Sequence, residues 1–97
     1  MKLIILDAAQ AELEEAQVYY LQHATPGIAA AFVADYEHCI RRIIQFPQTG
    51  TAVSKRLRAS LMRHFPYAIV YLATAETITV QAIAHQRRRP VYWAGRR

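Results

Sequence analysis

Ninety-seven residues can build one compact domain but not two, so every element has to serve a single core. A hydrophobic share of 54% with 20% charged residues excludes a disordered regulator. Apolar runs of only a few residues, the first stopped by Asp7, predict neither a spanning helix nor a signal peptide and hence a cytoplasmic location. The net charge of +5 is unevenly spread: residues 1–40 hold Lys2 against six acids, a net −5, and residues 41–97 hold eleven bases against Glu76, a net +10. Such a split suits a basic surface facing a polyanion or an acidic partner, although charge alone is also compatible with simple solubility.

Lys2–Leu6 is short, apolar and β-prone, and Asp7 follows it as a helix N-cap. Ala9, Leu13, Ala16 and Tyr20 then recur at helical spacing, while Glu12, Glu14 and Glu15 complement the exposed N–H groups of the first turns. The first helix is predicted over about Ala8–Gln22. Thr25-Pro26 supplies a second N-cap with proline at the first helical position, and Ile28, Phe32, Tyr36, Ile40 and Ile43 share one face of the helix that follows. Phe46-Pro47-Gln48-Thr49-Gly50 ends it, making an antiparallel helical hairpin. Cys39, the lone cysteine, can form neither an internal disulfide nor a zinc site and reads as core filling.

Leu61–Phe65, Tyr67–Leu72 and Ile78–Ile83 read as three strands, with Pro66 between the first two and a turn longer than two residues around Ala75-Glu76. The middle strand is apolar on both faces, which predicts helices on one side and another covering, such as a partner, on the other. The fold class expected is α+β, in the order β-α-α-β-β-β, with a helical hairpin on a small, mostly antiparallel sheet. Only three glycines are present, none in a phosphate-binding loop, so nucleotide-binding folds are not expected.

The densest cluster of reactive side chains is His85–Arg97, where Arg87, Arg88, Arg89, Arg96 and Arg97 stand among His85, Tyr92 and Trp93. Guanidinium forks match phosphate oxygens and aromatic faces stack on bases, as on nucleic-acid surfaces. In the competing reading Tyr92 and Trp93 fold back on the sheet and the arginines are simply solvated. Lys55, Arg56, Arg58 and Arg63 form a second basic group, and an antiparallel sheet could join both into one groove for an anionic target or an acidic partner peptide. Metal-independent RNA cleavage would require a base, a phosphate-binding cation and an acid, roles open to His85, Arg88 and Tyr92, with His64 a weaker candidate. His23 and His38 lack a carboxylate at metal-binding spacing, and Ser54 and Ser60 occupy no nucleophile elbow, so neither a metal nor another cofactor is expected.

Several segments together resemble RelE/ParE-type plasmid-stabilisation toxins. They are Ala11–Ala16 with Tyr19-Tyr20, Pro26–Ala29 with Phe32, Phe46–Gly50, Arg63–Tyr71, Ile83–His85 and Arg88–Arg96. The resemblance covers almost the whole chain and implies one toxin domain over residues 1–97. It also implies growth arrest when unopposed and neutralisation by a cognate antitoxin in a hetero-oligomer, with no membrane involved. ParE-like members of this superfamily poison DNA gyrase, whereas RelE-like members cut ribosome-bound mRNA with basic residues and a C-terminal tyrosine. Tyr92 matches that tyrosine and Arg87 or Arg88 lies near one of the family's arginines, but Ala68 stands where the mRNA-cleaving branch carries another. The expectation is therefore a ParE-like gyrase inhibitor without chemistry of its own. The alternatives are a ribosome-dependent endoribonuclease using His85, Arg88 and Tyr92, and a degenerate toxin that only binds antitoxin. In the first case Lys55, Arg56, Arg58, Arg63, Arg87, Arg88, Arg89, Trp93 and Arg96 are the candidate target-binding residues.

Overall fold

In the computed structural model, residues 1–96 are described, and Arg97 of the basic tail lies outside them. The chain runs β1 (Lys2–Ile5), α1 (Asp7–His23), α2 (Pro26–Gln45), β2 (Thr51–Ala52), β3 (Leu57–Leu61), β4 (Tyr67–Ala73) and β5 (Thr77–His85). The strands form one sheet in the order β1-β5-β4-β3-β2. All pairs are antiparallel except β1 with β5, which pair in parallel from Lys2↔Thr77 to Ile5↔Val80. A parallel pair needs a long crossover, here the helical hairpin and three further strands, so the first and last strands lie side by side.

The helices form where the apolar spacing and caps predict. Thr25 accepts the Ile28 N–H through its side chain at 3.1 Å and Pro26 begins α2. At the start of α1 the expectation is corrected: Leu6 occupies the N-cap, no side chain caps the helix, and Asp7 is already helical. Its carboxylate therefore acts on the helix end through its charge rather than as a cap. Ala9, Leu13 and Ala16 of α1 meet Phe32, Tyr36, Ile40 and Ile43 of α2 over Ile69, Tyr71, Ile78, Val80 and Ile83 of the sheet. Ile28, expected on that buried face, is exposed, because it lies in the first turn of α2. Cys39 is buried in this core beside Ser60, as expected.

The first of the three predicted strands is displaced. Leu61–Phe65 is not a strand: β3 ends at Leu61, and a turn follows in which buried Asp35 of α2 accepts the N–H of Arg63 at 3.3 Å and of His64 at 2.8 Å. The Met62 N–H closes the turn on the Tyr67 carbonyl at 2.9 Å. Backbone donors engaged by a carboxylate cannot join a ladder. An additional short strand, β2, pairs with Arg58 and Ala59 within what reads as loop. Between β4 and β5, Thr74 bonds the N–H groups of Glu76 and Thr77, giving the longer turn that Ala75-Glu76 requires.

In β5 the pairing passes from Val70↔Ala82 to Tyr71↔Val80, leaving Gln81 as an extra residue. This bulge moves the inward phase by one. Ile78 and Val80 face the helices before it and Ile83 after it, while Ala82 and Ala84 join Val70 on the outer face. The partner expected over that outer face is in part the chain itself: Tyr92 and Trp93 pack there with Leu57 and Ala59.

Two buried tyrosines in this core have opposite hydrogen-bonding status. The Tyr71 hydroxyl accepts the Gly50 N–H at 3.0 Å and donates to the Pro47 carbonyl at 2.8 Å, tying the end of α2 to the sheet. A Cβ on Gly50 would lie 2.8 Å from that hydroxyl. The buried Tyr36 hydroxyl has no hydrogen-bond partner among the described residues. Urea denaturation should therefore show Tyr71→Phe and Gly50→Ala each destabilised by about 1–3 kcal/mol, and Tyr36→Phe unchanged or more stable.

Candidate functional site

The site begins with a shortfall in the sheet. β1 accompanies β5 only as far as Val80, where the Leu6 N–H makes the last contact, at 3.1 Å. Beyond it the Gln81 carbonyl and both polar groups of Ile83 face an edge with no neighbouring strand, while β4 continues to pair with the other side. Buried backbone groups of this kind need partners. The partners come from α1 and from the tail after β5.

Glu12 of α1 accepts the Ile83 N–H at 3.1 Å through Oε1. The Tyr92 hydroxyl donates to Oε2 of the same carboxylate at 2.6 Å and lies 3.5 Å from the Ile83 carbonyl. Arg96 binds both carboxylate oxygens, at 2.7 and 3.2 Å, and also donates to the Gln81 carbonyl at 3.1 Å. The Arg88 guanidinium stands 3.9 Å from the centroid of the Tyr92 ring and 4.0 Å from Glu12, with Arg96 5.1 Å from the same ring. The two ion pairs among the described residues thus converge on one carboxylate whose side chain is 10% exposed. Burial pushes the Glu12 carboxyl up, but hydrogen bonds from Arg96, Tyr92 and Ile83 outweigh it and hold the group below its ordinary 4.5. Tyr92 is driven far above its ordinary value, first by burial and then by Glu12.

The segment reaches this position through a strained turn. Val91, an exposed β-branched residue, has φ 54°, the one positive φ outside glycine among the described residues. The turn lays Tyr92 and Trp93 on the outer sheet face, the reading in which these aromatics fold back.

Beside this network an open groove of about 630 Å³ separates α1 from the end of β5. Tyr19, Tyr20, Tyr67, His85, Arg87 and Arg88 are among its lining residues. His85 stacks edge-on against Tyr67 at 4.9 Å, and its Nδ1 accepts the Arg87 N–H at 3.0 Å. Burial and neighbouring Tyr20 push Tyr67 up to about 12.

The basic residues expected to share one groove divide between the two ends of β3, each end combining members of both groups. Lys55 and Arg56 precede β3, whereas Arg63 follows it in the turn beside β5's end, and β3's five residues span roughly 17 Å at about 3.4 Å each. Arg63 therefore shares an end of the sheet with exposed Arg87, Arg88 and Arg89. Lys55 and Arg56 instead line a second groove, of about 400 Å³, with Trp93, Gly95 and Arg96. Arg58 is occupied structurally, donating to the Gly50 carbonyl at 2.7 Å and the Gln48 carbonyl at 3.4 Å. His64 lies exposed in the Asp35-bound turn.

A carboxylate that no sequence motif singled out therefore organises the tail. Glu12 reads as one of three acids near a helix start, yet it stands three residues after Ala9 and four before Ala16, both buried, so helical spacing puts it on the inward side. Glu14 has no such relation to them.

A helical hairpin packed on a five-stranded, mostly antiparallel sheet is the architecture that the resemblance to RelE/ParE-type toxins implies. The family model described as "ParE toxin of type II toxin-antitoxin system, parDE" matches residues 3–90, and the chain belongs to that family. Among solved structures, a chain from the "Chromosomal ParDE TA system from P. aeruginosa" superposes with a TM-score of 0.75 at 18% identity, covering 88% of this chain and 95% of that one. No curated protein matches.

The network titrates in a defined direction. A carboxyl held below its ordinary value contributes stability that is complete above about 4.5 and is lost as pH falls through the lower, folded value. Trp93, the single tryptophan, rides on the docked segment and reports it. Its fluorescence should stay constant from neutral pH to about 4.5 and shift to the red only below that; a midpoint above 4.5 would contradict the assignment.

Proposed function

We propose that the chain arrests growth by binding DNA gyrase, without chemistry of its own, and that a cognate antitoxin neutralises it in a toxin–antitoxin hetero-oligomer. Membership of the ParE family supports this reading. The observation that carries it is the state of Tyr92. Its hydroxyl proton is committed to Glu12 at 2.6 Å and its pKa lies far above neutrality, so it is a poor general base and a poor general acid. The exposed Arg87, Arg88 and Arg89 beside Arg63, and Lys55 and Arg56 beside Trp93 and Arg96, then serve as contact surfaces rather than as a reaction centre.

One observation favours the endoribonuclease reading: His85, Arg87 and Arg88 line a common groove, so a base and phosphate-binding cations lie together. Purified protein separates the two. In the proposed function, wild type blocks gyrase supercoiling of plasmid DNA and leaves ribosome-bound mRNA intact, and His85→Ala retains growth arrest. Ribosome-dependent mRNA cleavage, lost by roughly 10²–10⁴-fold in His85→Ala, would establish the enzyme instead.

A further inference from the structure

Glu12 lines the groove beside α1, 4.0 Å from Arg88, and the charged and hydroxyl contacts of the tail converge on it. Tyr92 and Arg96 are bound to its two oxygens, and Arg88 is stacked on the ring that Glu12 anchors. Arg88 belongs to the groove beside α1, and Arg96 to the groove beside Lys55 and Arg56. One carboxylate thereby sets the geometry of both basic surfaces, although it is 80 residues from Tyr92 and 84 from Arg96 in sequence.

We propose that Glu12 is the positioning residue of the toxin, holding Arg88, Tyr92 and Arg96 in one stack so that the two basic surfaces meet the target in fixed relation. The inference rests on the reading of those surfaces as the target-binding ones. The physical reason is that a guanidinium is specific only when its plane is fixed. Arg88 is more than half exposed, with its side chain at 54%, and the contacts fixing its plane are the Tyr92 ring and the Glu12 carboxylate. Glutamine at position 12 keeps the size and one acceptor oxygen but loses the second acceptor and the charge opposite Arg96. It should leave the helical core in place and free the tail.

The test compares Glu12→Gln, Arg96→Met, Tyr92→Phe and the Glu12→Gln/Arg96→Met double variant in the full chain. The readouts are growth arrest on induction, gyrase supercoiling, Trp93 emission and the far-ultraviolet melting curve. The expected result is a loss of potency of about ten-fold or more in Glu12→Gln, with Trp93 emission shifted to the red while the far-ultraviolet spectrum is kept. The double variant should lose no more than the worse single variant, since both substitutions break the same contact. Full potency in Glu12→Gln, or lost potency with Trp93 emission unchanged, would overturn the proposal. Should Glu12→Gln fail to fold, Arg96→Met and Tyr92→Phe break the same network from the tail side, and full potency in both overturns it equally. A wild-type chain that arrested growth without affecting supercoiling would remove the gyrase reading and leave this test standing; one that arrested nothing would remove both.

Discussion

The constraint on which the structure turns is the unequal length of two neighbouring strands. β5 has nine residues and β1 only four, so half of the longer strand has β4 on one side and no strand on the other. An unpaired edge this close to the core either draws in another chain or must be closed from within. Here it is closed by side chains: Glu12 takes the N–H of Ile83, while Arg96 takes the carbonyl of Gln81 and Tyr92 approaches that of Ile83. Each of these groups would be costly to bury alone. Together they satisfy one another, and the charge on Glu12 is balanced by Arg96 at 2.7 Å.

That closure explains how so short a chain covers both faces of its sheet. The helical hairpin shields one face, and its apolar side chains make the larger of the two cores. The other face carries Val70, Ala82 and Ala84, small or branched residues against which Tyr92 and Trp93 pack. The aromatics contribute buried area, and Arg88 and Arg89 before them stay at the surface. The polar split of the sequence, acids first and bases last, is thus a contact as well as a field. An acid of the first helix and a base of the tail meet at the seam between the two halves.

Much of this fold could be read from the residues, and the exceptions share a cause. The helices were legible because Ala9, Leu13, Ala16, Phe32, Tyr36, Ile40 and Ile43 repeat with helical period, and Thr25-Pro26 marks a start by purely local chemistry. The strands β4 and β5 were legible from their branched and aromatic content. What periodicity could not reveal was decided by partners distant in sequence. Asp35 turns residues 62–66 out of the sheet from 28 residues away, and Glu12 binds the tail across most of the chain. The same limit applies to the site. The C-terminal cluster of His85, arginines and aromatics was visible as composition, whereas the separation of Arg63 from Lys55 and Arg56, and the structural employment of Arg58, depend on which end of β3 each one occupies.

The bulge at Gln81 makes the length of β5 matter more than the identity of several of its residues. Were Gln81 instead drawn into regular pairing with β4, the far half of the strand would turn over. Ile83 would leave the helix side, Ala82 and Ala84 would enter it, and the edge groups bound by Glu12 and Arg96 would point elsewhere. Point substitutions within the strand can drift while this architecture survives, and loss of Gln81 itself would keep the two faces but remove the carbonyl that Arg96 binds. An alignment of relatives that places a gap in the second half of β5 would accordingly mark a change in how the tail is held, even where every neighbouring residue looks conservative.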